Sequence, residues 1–301
     1  MTIVGSGSFR FERVASWPRI PKYLDLGEPG DAAVNSHGEI FVLSRGSHPV
    51  TVWSAEGDFL GSWGEGIFSA MPHGIFITAD DTVWIVDRDF HIATEFTPDG
   101  HPIRTLGTKL SPSPTAEGRV VRSRPFNMPA NLAVAPNGDI FVADGYGGHK
   151  VHRFDREGRL LLSWGRQGRG PGEFELVHNV WIDSRGRVLI CDDENDRIQI
   201  FTQDGTFLEA WPFANPSGLC IHDDIVYVVE LQPYEDPEGG SGSGAVVLLT
   251  LDGAVVARWE GTEGSGRDLM IGPHDLCVDA RGDVYVCEVR GRRVSKFARI
   301  R

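Results

Sequence analysis

NLAVAPNGDIFVADGYGGHKVHRFDREGRLLLSWG, residues Asn131–Gly165, decides the fold. It contains an apolar run, an Asn-Gly turn, a second run ending in Asp, a glycine-rich loop, a third run ending in Phe, a charged turn, and a fourth run ending in Trp-Gly. Period-2 alternation about such turns predicts antiparallel hairpins. The pattern returns in NVWIDSRGRVLICDDENDRIQIFTQDGTFLEAW, Asn179–Trp211, and again from near Ala32, Gly74, Gly218 and Asp275. Four strands per unit, with a period of roughly 40–50 residues, predict propeller blades.

The expected fold class is therefore all-β, a six-bladed β-propeller of four-stranded antiparallel blades. The blades fall roughly at residues 30–65, 72–107, 129–165, 177–212, 216–260 and 273–301, in one domain spanning 1–301. Third strands are expected to start at Val50, Ile92, Lys150, Arg197, Ala245 and Arg293. The last unit ends after its third strand, and SFRFERV from Ser8 is expected to supply the fourth, closing the ring and covering an edge. Two insertions interrupt the period. One is Thr108–Pro125, and the other is Leu231–Gly244, which reads as a mobile loop.

A net charge of −13 disfavours nucleic acid and anionic membranes as partners. The N-terminal stretch MTIVGSGSFRFERV lacks the pattern of a signal peptide, and no run approaches the roughly 18 apolar residues of a membrane span. Cys191, Cys220, Cys277 and Cys287 lie in apolar runs without a CxxC pair. Buried free thiols in a cytoplasmic protein are the expectation.

His73, His178 and His274 each open the first strand of a blade, in blades two, four and six. In a propeller the first strands line the central channel, and alternate blades of six are related by about a third of a turn. Three imidazoles converging on the axis suit a metal with open positions for water or substrate. Blades three and five carry Asn131 and Ser217-Gly218 near this place, so the repeat itself does not demand histidine. His149 and His152 read as surface or partner-satisfied residues. The acids Asp87, Asp144, Asp192 and Glu288 end second strands and are expected to hold turns and neighbouring blade backbones by hydrogen bonds.

The words MPHGI, VADGYGGHKVHRF, GRGPGEFELVHNV, DDENDRIQIF and GPHDLCVDARGDVYV resemble the NHL-type propellers, and within them the peptidyl-α-hydroxyglycine α-amidating lyase domain. The resemblance runs from about Ala32 to the end and is weakest in blade five and the insertions. It implies zinc held by His73, His178 and His274, with iron or manganese as other metals such ligands accept. It also implies a catalytic tyrosine at Tyr146, an active-site arginine at Arg45, and a calcium ion near Asp275 and the carbonyls of Ala32 and Ile75. The family's second arginine is replaced by Asp193 here, a charge reversal. Arg88 and Arg290 occupy equivalent loop places in blades two and six, and either is a candidate replacement. The methionine before the family's last Pro-His is Gly272, and the family's disulfides are missing.

The chemistry the resemblance implies is cleavage of the N–C bond of an α-hydroxyglycine, giving an amide and glyoxylate. Such a small-molecule substrate needs a polarised hydroxyl, a base, and a cation for its carboxylate. A metal-dependent hydrolase or hydratase is a second reading, in which Asp193 serves as general base. A non-catalytic binding platform is a third. Oligomeric state carries no sequence signal.

Overall fold

The computed structural model describes residues 2–114, 120–231, 244–260 and 270–301. Among them the strands form six antiparallel sheets. A short N-terminal pair, β1 (Ile3–Ser6) and β2 (Phe9–Val14), precedes the blades. Blade one is β3 (Glu28–Val34), β4 (Ile40–Arg45), β5 (Val50–Trp53) and β6 (Phe59–Trp63). Blade two is β7 (Pro72–Ile77), β8 (Val83–Asp87), β9 (Ile92–Phe96) and β10 (Pro102–Gly107). Blade three is β11 (Asn131–Val134), β12 (Ile140–Asp144), β13 (Lys150–Phe154) and β14 (Leu160–Trp164). Blade four is β15 (Val177–Ile182), β16 (Val188–Asp192), β17 (Arg197–Phe201) and β18 (Phe207–Pro212). Blade five is β19 (Pro216–His222), β20 (Ile225–Glu230), β21 (Ala245–Thr250) and β22 (Val255–Glu260), and blade six adds β23 (Pro273–Val278), β24 (Val284–Glu288) and β25 (Arg293–Ile300). The fold class is the six-bladed β-propeller, and every third strand starts at the residue the repeat indicates.

The chain divides into two compact units, Gly66–Phe213 and Met1–Glu65 with Ala214–Arg301. The first unit holds blades two, three and four. The second holds blades five, six and one, and it joins the two chain ends through β2, which pairs with β25 as the fourth strand of blade six. The sequence reading anticipated β2 and missed β1. The Gly7 turn, at φ 56°, folds Ile3–Ser6 back onto β2 and makes that sheet five-stranded.

Second strands such as VWIVD, VLICD and VYVCE are buried along their whole length, as continuous apolar runs flanked by other strands on both faces should be. The fourth strands β6 and β14 are only partly buried and form the edges of their sheets. The turns between third and fourth strands need a left-handed residue, which Gly57, Gly100, Gly158, Gly205 and Gly253 supply with φ of 95°, 88°, 83°, 80° and 79°. Apolar side chains fill the spaces between blades within each unit. Trp17, Ile40, Trp53 and Tyr285 do so between blades six and one, and Phe141, Phe174, Val180 and Phe201 between blades three and four.

The four cysteines are free and buried, as expected. Burial pushes the thiols of Cys220, Cys277 and Cys287 well above their ordinary range, so they are poor nucleophiles. Among the described residues no helix is long and apolar enough to cross a membrane. The stretch read as a mobile loop, Leu231–Gly244, lies outside the described residues except at its two ends, as does the middle of Thr108–Pro125.

Phe11 tests the role of β2. Its side chain is 0% exposed and its ring centroid lies 4.9 Å from that of Trp259. Phe11→Ala should cost about 3–5 kcal/mol in urea unfolding followed by tryptophan fluorescence. A loss below about 1 kcal/mol would mean that β2 is not an integral strand of the blade.

Candidate functional site

The three histidines share one backbone device. In blade two Pro72 faces Asp87 and Gly74 faces Val86, so His73 has no cross-strand partner. Val177 and Asn179 skip His178 in the same way, and Pro273 and Asp275 skip His274. Each histidine is the extra residue of a β-bulge, which bends the strand and turns that side chain out of the alternation. The skip falls on Gly30 in blade one and Ser217 in blade five. In blade three the residue just ahead of β11 is Ala130, whose N–H donates to Ala143 O at 2.8 Å. The counterpart of the histidines there is thus Ala130, one residue before the Asn131 that the sequence put near this place.

The acids ending the second strands hold the lead-in to these bulges. Asp87 Oδ2 accepts the N–H of Ser69 at 2.7 Å, Asp144 Oδ1 that of Asn127 at 2.8 Å, Asp192 Oδ1 that of Glu175 at 3.0 Å and Glu288 Oε2 that of Ile271 at 2.7 Å. The expected structural role holds in part: the backbone they bind is the lead-in of their own blade and not that of a neighbouring one. His152 is one of their supports, bridging Asp144 Oδ2 at 3.2 Å and Ser163 Oγ at 2.7 Å.

In the Gly66–Phe213 unit, His73, His178, Tyr146 and Arg88 come together. His73 and His178 are 2% and 3% exposed, and their ligand nitrogens lie within 4.8 Å of one another. Tyr146 Oη is 2.9 Å from His73 Nε2 and 3.0 Å from His178 Nε2. The Arg88 guanidinium stands over the Tyr146 ring, 4.9 Å from its centroid, while its Nε donates to Asp89 at 2.9 Å. Tyr146 reaches this place because its loop is backed by residues without side chains. A Cβ on Gly145 would lie 2.0 Å from Val177 O, beside His178, and one on Gly147 2.8 Å from the Asn127 side chain.

Hydrogen bonding fixes the tautomer of His73. Its Nδ1 lies 3.0 Å from Ala130 O, and a carbonyl only accepts, so Nδ1 carries the proton and Nε2 presents a lone pair. The single Tyr146 proton serves one imidazole lone pair. The second Nε2 is satisfied by a proton of its own or by a cation between the nitrogens. A neutral imidazole anchored at Nδ1 with its lone pair at Nε2, as His73 is, is the donor a zinc-type ion requires, so these residues fit such a metal.

In the other unit, His274 is 5% exposed and donates Nδ1–H to Gly30 O at 2.8 Å, again leaving Nε2 as the lone-pair nitrogen. Asp275 is buried beside it, and its Oδ1 accepts the N–H of Leu276 at 2.9 Å. Arg45 ends β4 with Nη1 3.8 Å from Glu28 Oε2. Arg290 packs its aliphatic stem against Gly272. In the first unit Asp193 is buried and begins a 3-10 turn, Asp193–Asn195, with its N–H donating to Leu176 O at 2.9 Å. Within this unit, Arg88 is placed against Tyr146.

Sequence reasoning missed Ala130 and Gly30, which act through their carbonyls. The available signal was their small size at the histidine place in intervening blades. It also missed Met128 and His91. Met128 O accepts the Tyr146 N–H at 3.2 Å, and His91 Nδ1 accepts the Met128 N–H at 3.0 Å.

A family model described as a 6-bladed beta-propeller matches residues 125–223. NHL repeat-containing protein 3 of Homo sapiens is 30% identical over an alignment covering 96% of this chain and 86% of that protein. Peptidyl-alpha-hydroxyglycine alpha-amidating lyase 1 of Drosophila melanogaster is 29% identical, with 78% of this chain and 46% of that protein aligned. Among solved structures, virginiamycin B lyase from Staphylococcus aureus superposes with a TM-score of 0.63 at 14% identity, covering 97% of this chain and 100% of that one, a likeness of fold alone.

Gly74 tests the close approach that positions His73. A Cβ there would lie 2.6 Å from Asn131 Oδ1 and 2.7 Å from Ala130 O, the carbonyl that His73 uses. Gly74→Ala should destabilise the protein by about 1–3 kcal/mol in thermal unfolding. An unchanged melting temperature would show that β7 and the start of β11 are not in such contact.

Proposed function

Because this chain belongs to the NHL-repeat family, we propose that it is a metal-dependent lyase cleaving the C–N bond of a small carboxylate-bearing hemiaminal of the α-hydroxyglycine type. The observation that carries this reading is the Tyr146 hydroxyl held between Nε2 of His73 and Nε2 of His178, with the Arg88 cation on its ring. The name of the Drosophila relative supports the chemistry, whereas that of the human relative records its repeats alone.

His73, His178 and His274 are the proposed ligands, three neutral imidazoles for zinc, with iron or manganese as other ions this set accepts. When bound, the ion supplies Lewis acidity and lowers the pKa of a hydroxyl it holds. Asp275 is the proposed ligand of a second ion, calcium, which prefers oxygen.

The chain's own residues carry the proton and the carboxylate. Tyr146, as phenolate, takes the proton of the substrate hydroxyl. The carbon–oxygen double bond forms, the C–N electron pair leaves with nitrogen, and Tyr146 returns the proton to that nitrogen. The products are an amide and a glyoxylate-type acid, with no net change in protons. A phenol of ordinary pKa about 10 is a poor base at neutral pH, and the Arg88 cation favours its ionised form. Asp89 holds Arg88 Nε, and the terminal nitrogens form the fork that suits a carboxylate. Arg45 is the proposed second cation. Asp193, an acid at the place of the family's other arginine, does not share this role.

The test is metal content by mass spectrometry together with glyoxylate release from an N-acyl-α-hydroxyglycine. We expect about one transition metal per chain in the wild type, lost in His178→Ala without change in circular dichroism. Tyr146→Phe should keep the metal and lose turnover at least ~100-fold. A protein that takes up neither zinc, iron nor manganese, or a Tyr146→Phe variant with wild-type turnover, would sink the lyase reading and favour a binding platform.

A further inference from the structure

The hairpin between β8 and β9 ends on His91, whose φ is 57°. Left-handed backbone is uncommon for a residue with a side chain. Here it carries the imidazole to the next blade's lead-in, where Nδ1 accepts the N–H of Met128 at 3.0 Å. Met128 is itself left-handed, at φ 61°, and precedes Pro129. Its carbonyl accepts the N–H of Tyr146 at 3.2 Å. Two residues on, the carbonyl of Ala130 accepts Nδ1–H from His73 at 3.0 Å. One three-residue segment, Met128–Ala130, thus carries the acceptors for both Tyr146 and His73.

We propose that His91 is a positioning residue for this site: its neutral imidazole holds Met128–Ala130 in place, and through that segment sets the Tyr146 hydroxyl and His73 Nε2. The inference rests on the reading of Tyr146 and His73 as site residues given above. The bond has a protonation requirement, because Nδ1 accepts only while it carries no proton. His149, at the same left-handed hairpin place in blade three (φ 50°), has the opposite polarity. Its Nδ1 lies 2.7 Å from Glu175 O, so it donates and a charged ring keeps that bond.

The surroundings favour the form His91 needs. Burial holds its pKa below the ordinary histidine value, against the opposing pull of Asp144 from β12 and of Asp89 and Asp87 from its own hairpin. The sign follows: a base depressed in the folded state contributes stability that is complete above the unfolded value near 6.5 and is lost as pH falls through the lower folded value.

Two variants separate the acceptor from the residue. His91→Asn retains a side-chain acceptor and tolerates left-handed backbone, and His91→Gly keeps the backbone and removes the acceptor. In metal-free protein the Tyr146 phenol titration is followed by ultraviolet difference spectra, with Tyr146→Phe as the blank. The midpoint should move by at least about half a pH unit in His91→Gly and stay at the wild-type value in His91→Asn. By chelator competition, His91→Gly should bind zinc at least ~10-fold more weakly, with His91→Asn near wild type. If His91→Gly does not fold, His91→Phe, which keeps a ring without the acceptor, is read the same way. An identical Tyr146 titration in all variants overturns the positioning role, whatever zinc does. A shifted titration in a protein that binds no zinc upholds that role and removes the lyase reading instead.

Discussion

A buried carboxylate at the end of the second strand is the constraint on which blades two, three, four and six depend. Asp87, Asp144, Asp192 and Glu288 are at most 2% exposed, and a charge so placed is stable only when its oxygens are saturated with donors. The donors come from two directions. One is the backbone leading into the first strand, at Ser69, Asn127, Glu175 and Ile271. The other is the third strand, with His152 on Asp144, Arg197 and Gln199 on Asp192, and Arg293 on Glu288. In blades three, four and six the charge therefore ties the second and third strands to the lead-in loop, and it fixes where the first strand begins. With that start fixed, the bulge falls at a constant place, and the side chain on the bulge is aimed by backbone rather than by its own rotamer.

That arrangement explains why histidine alternates with small residues. His73 and His274 each donate Nδ1–H to the carbonyl of the corresponding residue one blade further on, Ala130 and Gly30. A small side chain there leaves the carbonyl open and gives the ring room. The close packing extends one residue along, where a Cβ on Gly74 would meet Asn131 and one on Gly218 would meet Asp275. The orientation and tautomer of His73 and His274 are thus set by main chain, which fixes where each Nε2 lone pair lies.

Much of this was legible in the sequence because the repeat carries it in side chains. The starts of the third strands, the closing acids and the recurrent histidine are residue types at a fixed period, and each survives comparison of one blade with the next. What the sequence concealed is carried by backbone. A bulge leaves no residue signature, so in blade three the sequence pointed only near the place, to Asn131, when Ala130 holds it. The carbonyls of Ala130, Gly30 and Met128 are invisible for the same reason. β1 was missed because four residues beside a Gly-Ser turn are too few to show alternation. The place of Arg88 showed only once the DGYGG loop had brought a tyrosine ring next to it.

The lead-in to each of two site strands in the Gly66–Phe213 unit is held twice. Glu175, three residues before His178, gives its N–H to Asp192 of its own blade and receives a proton from His149 of the preceding blade at its carbonyl. Asn127 and Met128, ahead of Ala130, give their N–H groups to Asp144 and His91 in the same pattern. The left-handed residue of the hairpin is what reaches across. Asp196 uses its backbone for the purpose, accepting the N–H of Phe213 at 2.9 Å. Blades two, three, four and six have a left-handed residue at this point, His91, His149, Asp196 and Arg292, and its side chain differs among them. Histidine there places a titratable group against the next blade's lead-in without altering the fold. The acid sets where a strand begins, and the left-handed residue sets how firmly that start is held.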